Sequence, residues 1–190
     1  MTIQAATSVV VLAAALVGCA NTDIAADQLN PTTARPQPPS EQSEQYVAAL
    51  HQLVLVDHPF ARAPSPVRYL YIVNGSSKPP SPVPSFGNEG MQIESELRNE
   101  MTAQSGDLPP IEFIASPDQR ADPERSGLTV VENDGVIISF IPARQQENGG
   151  VHVGAYLWCG VDCRLGLTYA LDKVDGHWTV TGTTGPISIS

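Results

Sequence analysis

Hydrophobic and polar positions change rhythm three times along the chain. From Thr7 to Val17 the residues are almost entirely Val, Ala and Leu, a run about as long as the apolar centre of a signal peptide. It falls short of the ~18–20 apolar residues a membrane-spanning helix needs. From Ala20 to Ser40 there is no apolar period, and Pro31, Pro36, Pro38 and Pro39 favour an extended, disordered tether. Helical spacing then begins. Ser40 is placed to cap a helix, with Glu41 and Glu44 in the first turn, where the helix dipole favours acids. Tyr46, Leu50, Leu53 and Val54 recur on one face. Pro59 disfavours a helical residue before it, so this helix stops near His58.

Val67 to Val73 is rich in β-branched and aromatic residues and ends at Asn74-Gly75, which reads as a strand and a turn. Pro79, Pro80, Pro82 and Pro84 mark a surface loop. Asn88 can cap a second helix running to about Ala103, with Ile93, Leu97 and Met101 on its buried face and Glu94, Glu96, Arg98 and Glu100 largely solvated. Ile111 to Ile114 follows as a short strand.

Beyond Leu128 the period becomes that of strands. Leu128 to Val131 and Val136 to Ile141 flank Asn133-Asp134-Gly135, while Val151 to Cys159 and Leu165 to Leu171 flank a cysteine loop. His177 to Thr183 follows Asp175-Gly176, a strong type I′ hairpin signal. Helices early and strands late predict an α+β fold: an antiparallel meander sheet with two helices packed on one face, after a signal peptide and disordered tether.

Composition narrows the partners. Among 190 residues, 10 Lys and Arg stand against 20 Asp and Glu, a formal net charge of −10. No nucleic-acid partner is expected, because a polyanion needs clustered basic residues and these are few and scattered. The same acidity opposes electrostatic docking on anionic lipid. No charged residue precedes Cys19, so removal of the leading segment would leave the charge unchanged.

Leu16-Val17-Gly18-Cys19 closes the first apolar run and resembles the lipobox of bacterial lipoprotein precursors. The resemblance implies a diacylglycerol thioether on Cys19, cleavage before it and acylation, for example by palmitate, of the new amino terminus. Met1 to Gln4 carries neither Lys nor Arg, leaving the terminal amine as the positive charge of the signal. The competing reading, a buried N-terminal helix, fits poorly with a Pro-rich polar tract immediately after it. The expected organisation is therefore 1–18 signal peptide, 19–40 tether and 41–190 a single α+β domain. The lipoprotein reading implies an exported protein held to the cell membrane or outer membrane by two or three acyl chains, each buried methylene contributing ~0.8 kcal/mol. Ala20 stands where an Asp would resemble an inner-membrane retention signal, which leaves outer-membrane sorting open in a two-membrane host.

Cys159 and Cys163 remain as a pair. Across a three-residue hairpin loop, opposed Cβ atoms lie ~4.5–5.5 Å apart and a disulfide wants ~3.5–4.5 Å, so a pucker at Gly160 would close the gap. A disulfide suits an exported chain; buried free thiols, or a metal or redox site drawing on His152 or His177, are the alternatives. By alternation His152 shares a strand face with Tyr156 and Trp158, opposite Cys159, which disfavours a Cys-His pair. His177 borders a turn, and His51 and His58 belong to the first helix and its end, so all four histidines read as locally satisfied residues. The chain has no G-x-S-x-G, H-E-x-x-H, P-loop, G-x-G-x-x-G or EF-hand pattern. Neither a catalytic residue nor a metal or cofactor is expected.

From Tyr156 onward the chain resembles the C-terminal part of uncharacterised small exported bacterial proteins. The residues that carry this are Cys159-Gly160…Cys163, Tyr169-Ala-Leu171-Asp-Lys173 and Asp175-Gly176-His-Trp178-Thr-Val180-Thr-Gly182. The resemblance supports the C-terminal hairpins and offers no activity. The expected function is a lipid-anchored cell-envelope protein with a non-enzymatic binding or accessory role. It would engage an unknown protein or small-molecule partner through the sheet face or the Pro-rich loop. An envelope enzyme or thiol redox protein using Cys159 and Cys163 is the alternative, and an envelope inhibitor or immunity-like protein a third.

Overall fold

The computed structural model describes residues 38–58, 66–75, 91–123, 129–161 and 163–189. Cys19, the signal peptide, most of the tether, Asn88, the Pro79–Pro84 loop, Leu128 and Asp162 lie outside them. Within them the fold is mixed α+β, with two α-helices and a mostly antiparallel open sheet.

Helix α1 spans Glu41–His51, and its cap is the expected Ser40, whose side chain accepts from the Ser43 N–H at 3.3 Å. The helix continues not as α but as a π turn over Gln52–Val56, in which Asp57 N–H reaches back to the Gln52 carbonyl at 3.0 Å. Helix α2 spans Ser95–Gln104 and begins later than the sequence predicts. Ile93 precedes the helix and its extended N-cap Glu94, the Ile93 N–H held by Asn74 Oδ1 at 2.6 Å, yet Ile93, Leu97 and Met101 are all buried as expected. Glu100, half-exposed on α2, also accepts hydrogen bonds from the Ser40 hydroxyl and, at 3.1 Å, the Ser40 N–H, and the hydroxyl bond above all lowers its pKa. The two helices are thereby clipped together at the start of α1.

The main sheet consists of β1 (Tyr69–Val73), β2 (Ile111–Ile114), β5 (Gly135–Phe140), β6 (Arg144–Gln145), β7 (Val151–Gly160), β8 (Cys163–Val174) and β9 (His177–Ile189). Its order is β2-β1-β5-β7-β8-β9, with β6 also beside β7. From β5 onward every pairing is antiparallel, as the meander predicts, but β1 runs parallel to both β2 and β5. Parallel neighbours need a crossover, and the chain supplies two. One carries α2; the other carries a short ribbon of β3 (Ala121–Asp122) and β4 (Val130–Val131).

That ribbon overturns the expected hairpin at Asn133-Asp134-Gly135. Val131 does not pair with β5; β4 pairs with β3, and a 3₁₀ turn over Glu132–Asp134, with Asn133 and Asp134 at φ 55° and 53°, redirects the chain into β5. The physical reason is burial. Val131 joins Tyr71, Val73, Ile114, Ile137 and Trp158 in a second apolar cluster. The first cluster fills the space between the helices and the other sheet face, from Tyr46 and Leu50 on α1 and Leu97 and Met101 on α2 to Leu70, Ile138, Leu157 and Tyr169 on the strands. The hairpin at Asp175-Gly176 does form, with φ of 52° and 85°, the left-handed pair a type I′ turn requires.

Candidate functional site

The β7–β8 hairpin brings Cys159 and Cys163 to disulfide distance, with their Cα atoms 5.2 Å apart. They are not directly opposed as the three-residue loop predicts. The ladder pairs Trp158 with Arg164 and then Gly160 with Cys163, leaving Cys159 in a bulge. Gly160 takes φ 127°, a conformation open to glycine, and this supplies the pucker. The tip is also tied down from outside, since Val161 N–H donates to the Thr129 carbonyl at 3.3 Å. Replacing both cysteines by Ser should therefore cost about 2 kcal/mol, a fall of roughly 4–8 °C in Tm for a domain of this size. Calorimetry would check it, and an unchanged Tm would remove the staple from the account.

The histidines are distributed over separate surfaces. His152 lies opposite Arg144 on the sheet face away from the helices. Cys159 packs with the helix-side cluster. His177 is exposed beside its turn, and His51 sits on α1 with Nδ1 3.8 Å from Asp107. His58 follows the π turn. Among the described residues no three His, Cys, Asp or Glu side chains come together as a metal-binding group.

Two surfaces offer recognition chemistry. The first is the far face of β7, β8 and β9. Alternation places Val151, Val153, Ala155 and Leu157 of β7, and Leu165, Leu167, Tyr169 and Leu171 of β8, on the helix side. The intervening His152, Tyr156, Thr168, Ala170 and Asp172 face away, are only half-buried and belong to neither apolar cluster. Tyr156 lies across Gly166, where an added Cβ would stand 2.6 Å from the ring. Thr181 of β9 donates to Asp172 Oδ2 at 2.8 Å. The β3–β4 ribbon covers this side of the sheet only around Tyr71, Ile137 and Trp158.

The second surface is a groove of about 250 Å³ between the end of α1 and the start of β9, lined by Ala48, His51, Gln52, Leu55, Val56, Trp178, Thr179 and Val180. The π turn shapes one wall, leaving Leu55 and Val56 exposed. Asp57 fixes that turn from below: its Oδ2 accepts from Tyr169 Oη at 3.0 Å and from Gln52 Nε2 at 3.2 Å. Burial, reinforced by the Asp57 charge, raises the Tyr169 pKa, so the phenol keeps the proton it donates. Trp178 forms the other wall; Lys173 Nζ stands 5.4 Å from its ring centroid and is paired with Glu41 of α1. Nothing in the periodicity marks Leu55, Val56, Asp57 and Tyr169 as one locus, because a π turn and a contact 112 residues apart leave no local pattern.

No family model matches the chain, and no match was found among curated proteins or solved structures. The reading of these surfaces rests on their own geometry.

Proposed function

We propose that this is a lipid-anchored cell-envelope protein that binds a partner, without catalysing a reaction, through the far face of β7–β9. The observation that carries the reading is the division of the sheet. Helices occupy one face, the β3–β4 ribbon roofs the neighbourhood of β1 and β5, and the remaining far face presents hydroxyl, imidazole and phenol groups on a rigid ladder. A polar, half-buried array held by backbone pairing is suited to adaptable hydrogen bonding with little ordering cost. The thiol alternative is less well served, since Cys159 and Cys163 engage each other at a hairpin tip and His152 faces the opposite way. The address rests on Leu16-Val17-Gly18-Cys19.

Cys19→Ser should abolish lipid labelling and move the protein out of the membrane fraction, or leave it unprocessed. Unchanged processing and membrane association would overturn the anchor. For the binding face, a photoreactive residue in place of Thr168 should give envelope adducts that the same residue in place of Glu96, exposed on α2, does not. Adducts from the helix side alone would reject the assignment.

A further inference from the structure

Seven large apolar side chains are exposed among the described residues, and five of them, Leu55, Val56, Val174, Ile187 and Ile189, lie along β9 or beside it. Their arrangement is polar in the geometric sense. At the N-terminal end of β9 is the groove, with Leu55 and Val56 on its lip, 47 % and 64 % exposed. At the C-terminal end Ile187 and Ile189 protrude, 57 % and 70 % exposed. Both ends belong to the helix side of the sheet: Trp178 packs into the helix-side cluster, and Ile189 pairs with Leu165 of that same cluster.

β9 is an edge strand, and its described backbone hydrogen bonds go to β8. Sheet edges are commonly protected by charge, Lys above all. From Trp178 to Ser190 this chain has no Asp, Glu, Lys, Arg or His, although it carries −10 overall. Two copies so charged repel over most of their surface, and the uncharged strip is where they can approach.

We propose that this edge docks a second copy of the chain. Antiparallel approach about a two-fold axis near the middle of β9 sets the C-terminal end of each strand beside the N-terminal end of the other. Ile187 and Ile189 of each copy then meet the Leu55–Val56 groove of its partner, the reciprocal relation an isologous interface demands. Two register irregularities and Pro186 interrupt β9, so the two apolar ends carry the contact rather than an unbroken ladder. The far face of β7–β9 is left free in each copy, and this association does not depend on the function proposed for that face.

The test uses the full chain in detergent at about 100 μM, where even a Kd of ~10 μM populates the dimer. Sedimentation should give twice the monomer mass after subtraction of detergent. In a mixture of ¹⁴N and ¹⁵N protein, a photoreactive group at position 187 should yield mixed-isotope crosslinks to the peptide containing Leu55 and Val56. Ile187→Lys alone and Val56→Glu alone should each return the monomer with an unchanged Tm, since both side chains are exposed, and the double variant should recover the dimer through two new ion pairs. A monomer in the unsubstituted protein overturns the proposal. So does a dimer that survives both single substitutions, or mixed-isotope crosslinks confined to other surfaces, including groove crosslinks to a different protein only.

Discussion

Tyr46→Ala is expected to destabilise the domain by about 3–5 kcal/mol, a fall in Tm of roughly 6–20 °C. Tyr46 is wholly buried on α1, its ring packs edge-on against Phe140 of β5 with centroids 5.2 Å apart, and its hydroxyl accepts from the Ala143 N–H at 2.9 Å. Truncation leaves a cavity at the junction of helix and sheet and also strips a backbone donor of its acceptor. Tyr46→Phe separates the two effects: it keeps the ring and loses only the acceptor, which costs about 1–3 kcal/mol. Burial raises the Tyr46 pKa, so the phenol is neutral across the ordinary pH range and this loss should not vary with pH. Urea unfolding of both variants is the measurement. A Tyr46→Ala cost below about 1 kcal/mol would mean that α1 does not anchor the core.

The second large effect is expected at Gly135, where glycine is required by proximity rather than by backbone conformation. Its φ of −92° and ψ of 174° are open to any residue, but a Cβ there would stand 2.3 and 2.9 Å from two ring carbons of Tyr71. That ring cannot swing away. It is 1 % exposed, its hydroxyl accepts from Asn133 Nδ2 at 3.2 Å, and the Arg120 guanidinium lies 5.4 Å from its centroid, held there by Glu112 and, at 3.8 Å, by Glu132. Gly135→Ala should therefore cost about 1–3 kcal/mol as an overpacking effect. Tyr71→Ala is destabilising alone, but in that background Gly135→Ala should cost less, because the closest obstacle is gone and only the Glu132 carbonyl, 3.0 Å from the added Cβ, still crowds it. Additive losses in the double-mutant cycle would show that the two residues do not meet.

Several elements could be read locally because their causes are local. The cap at Ser40, the acids that follow it, the stop before Pro59 and the type I′ turn at Asp175-Gly176 each depend on a few neighbouring residues, and all stand where the chain implies them. Apolar spacing likewise identifies Ile93, Leu97 and Met101 as buried, although Ile93 precedes the helix to which that spacing assigns it. Of the candidate site, the paired cysteines and the separation of His152 from Cys159 were visible as spacing and parity.

What periodicity could not convey is which surfaces need covering. The unbroken burial of β5 marks a strand enclosed on both sides, yet only the assembled sheet shows that β4 provides part of its second cover and must abandon the hairpin to do so. The parallel pairing of β1 has the same origin, since α2 and the ribbon must lie on opposite faces to bury both sets of apolar side chains. The groove depends on Asp57 meeting Tyr169 across 112 residues and on a π turn that this contact braces. By itself, then, the sequence determined the Ser40 cap, the Asp175-Gly176 turn, the strand parity of β7 and the cysteine pair, because each is set within one turn or one hairpin, and the acidic charge, which needs only composition. The tertiary structure decided strand direction, the second core, the groove and the open face of β7–β9, because each depends on what distant segments bury against one another.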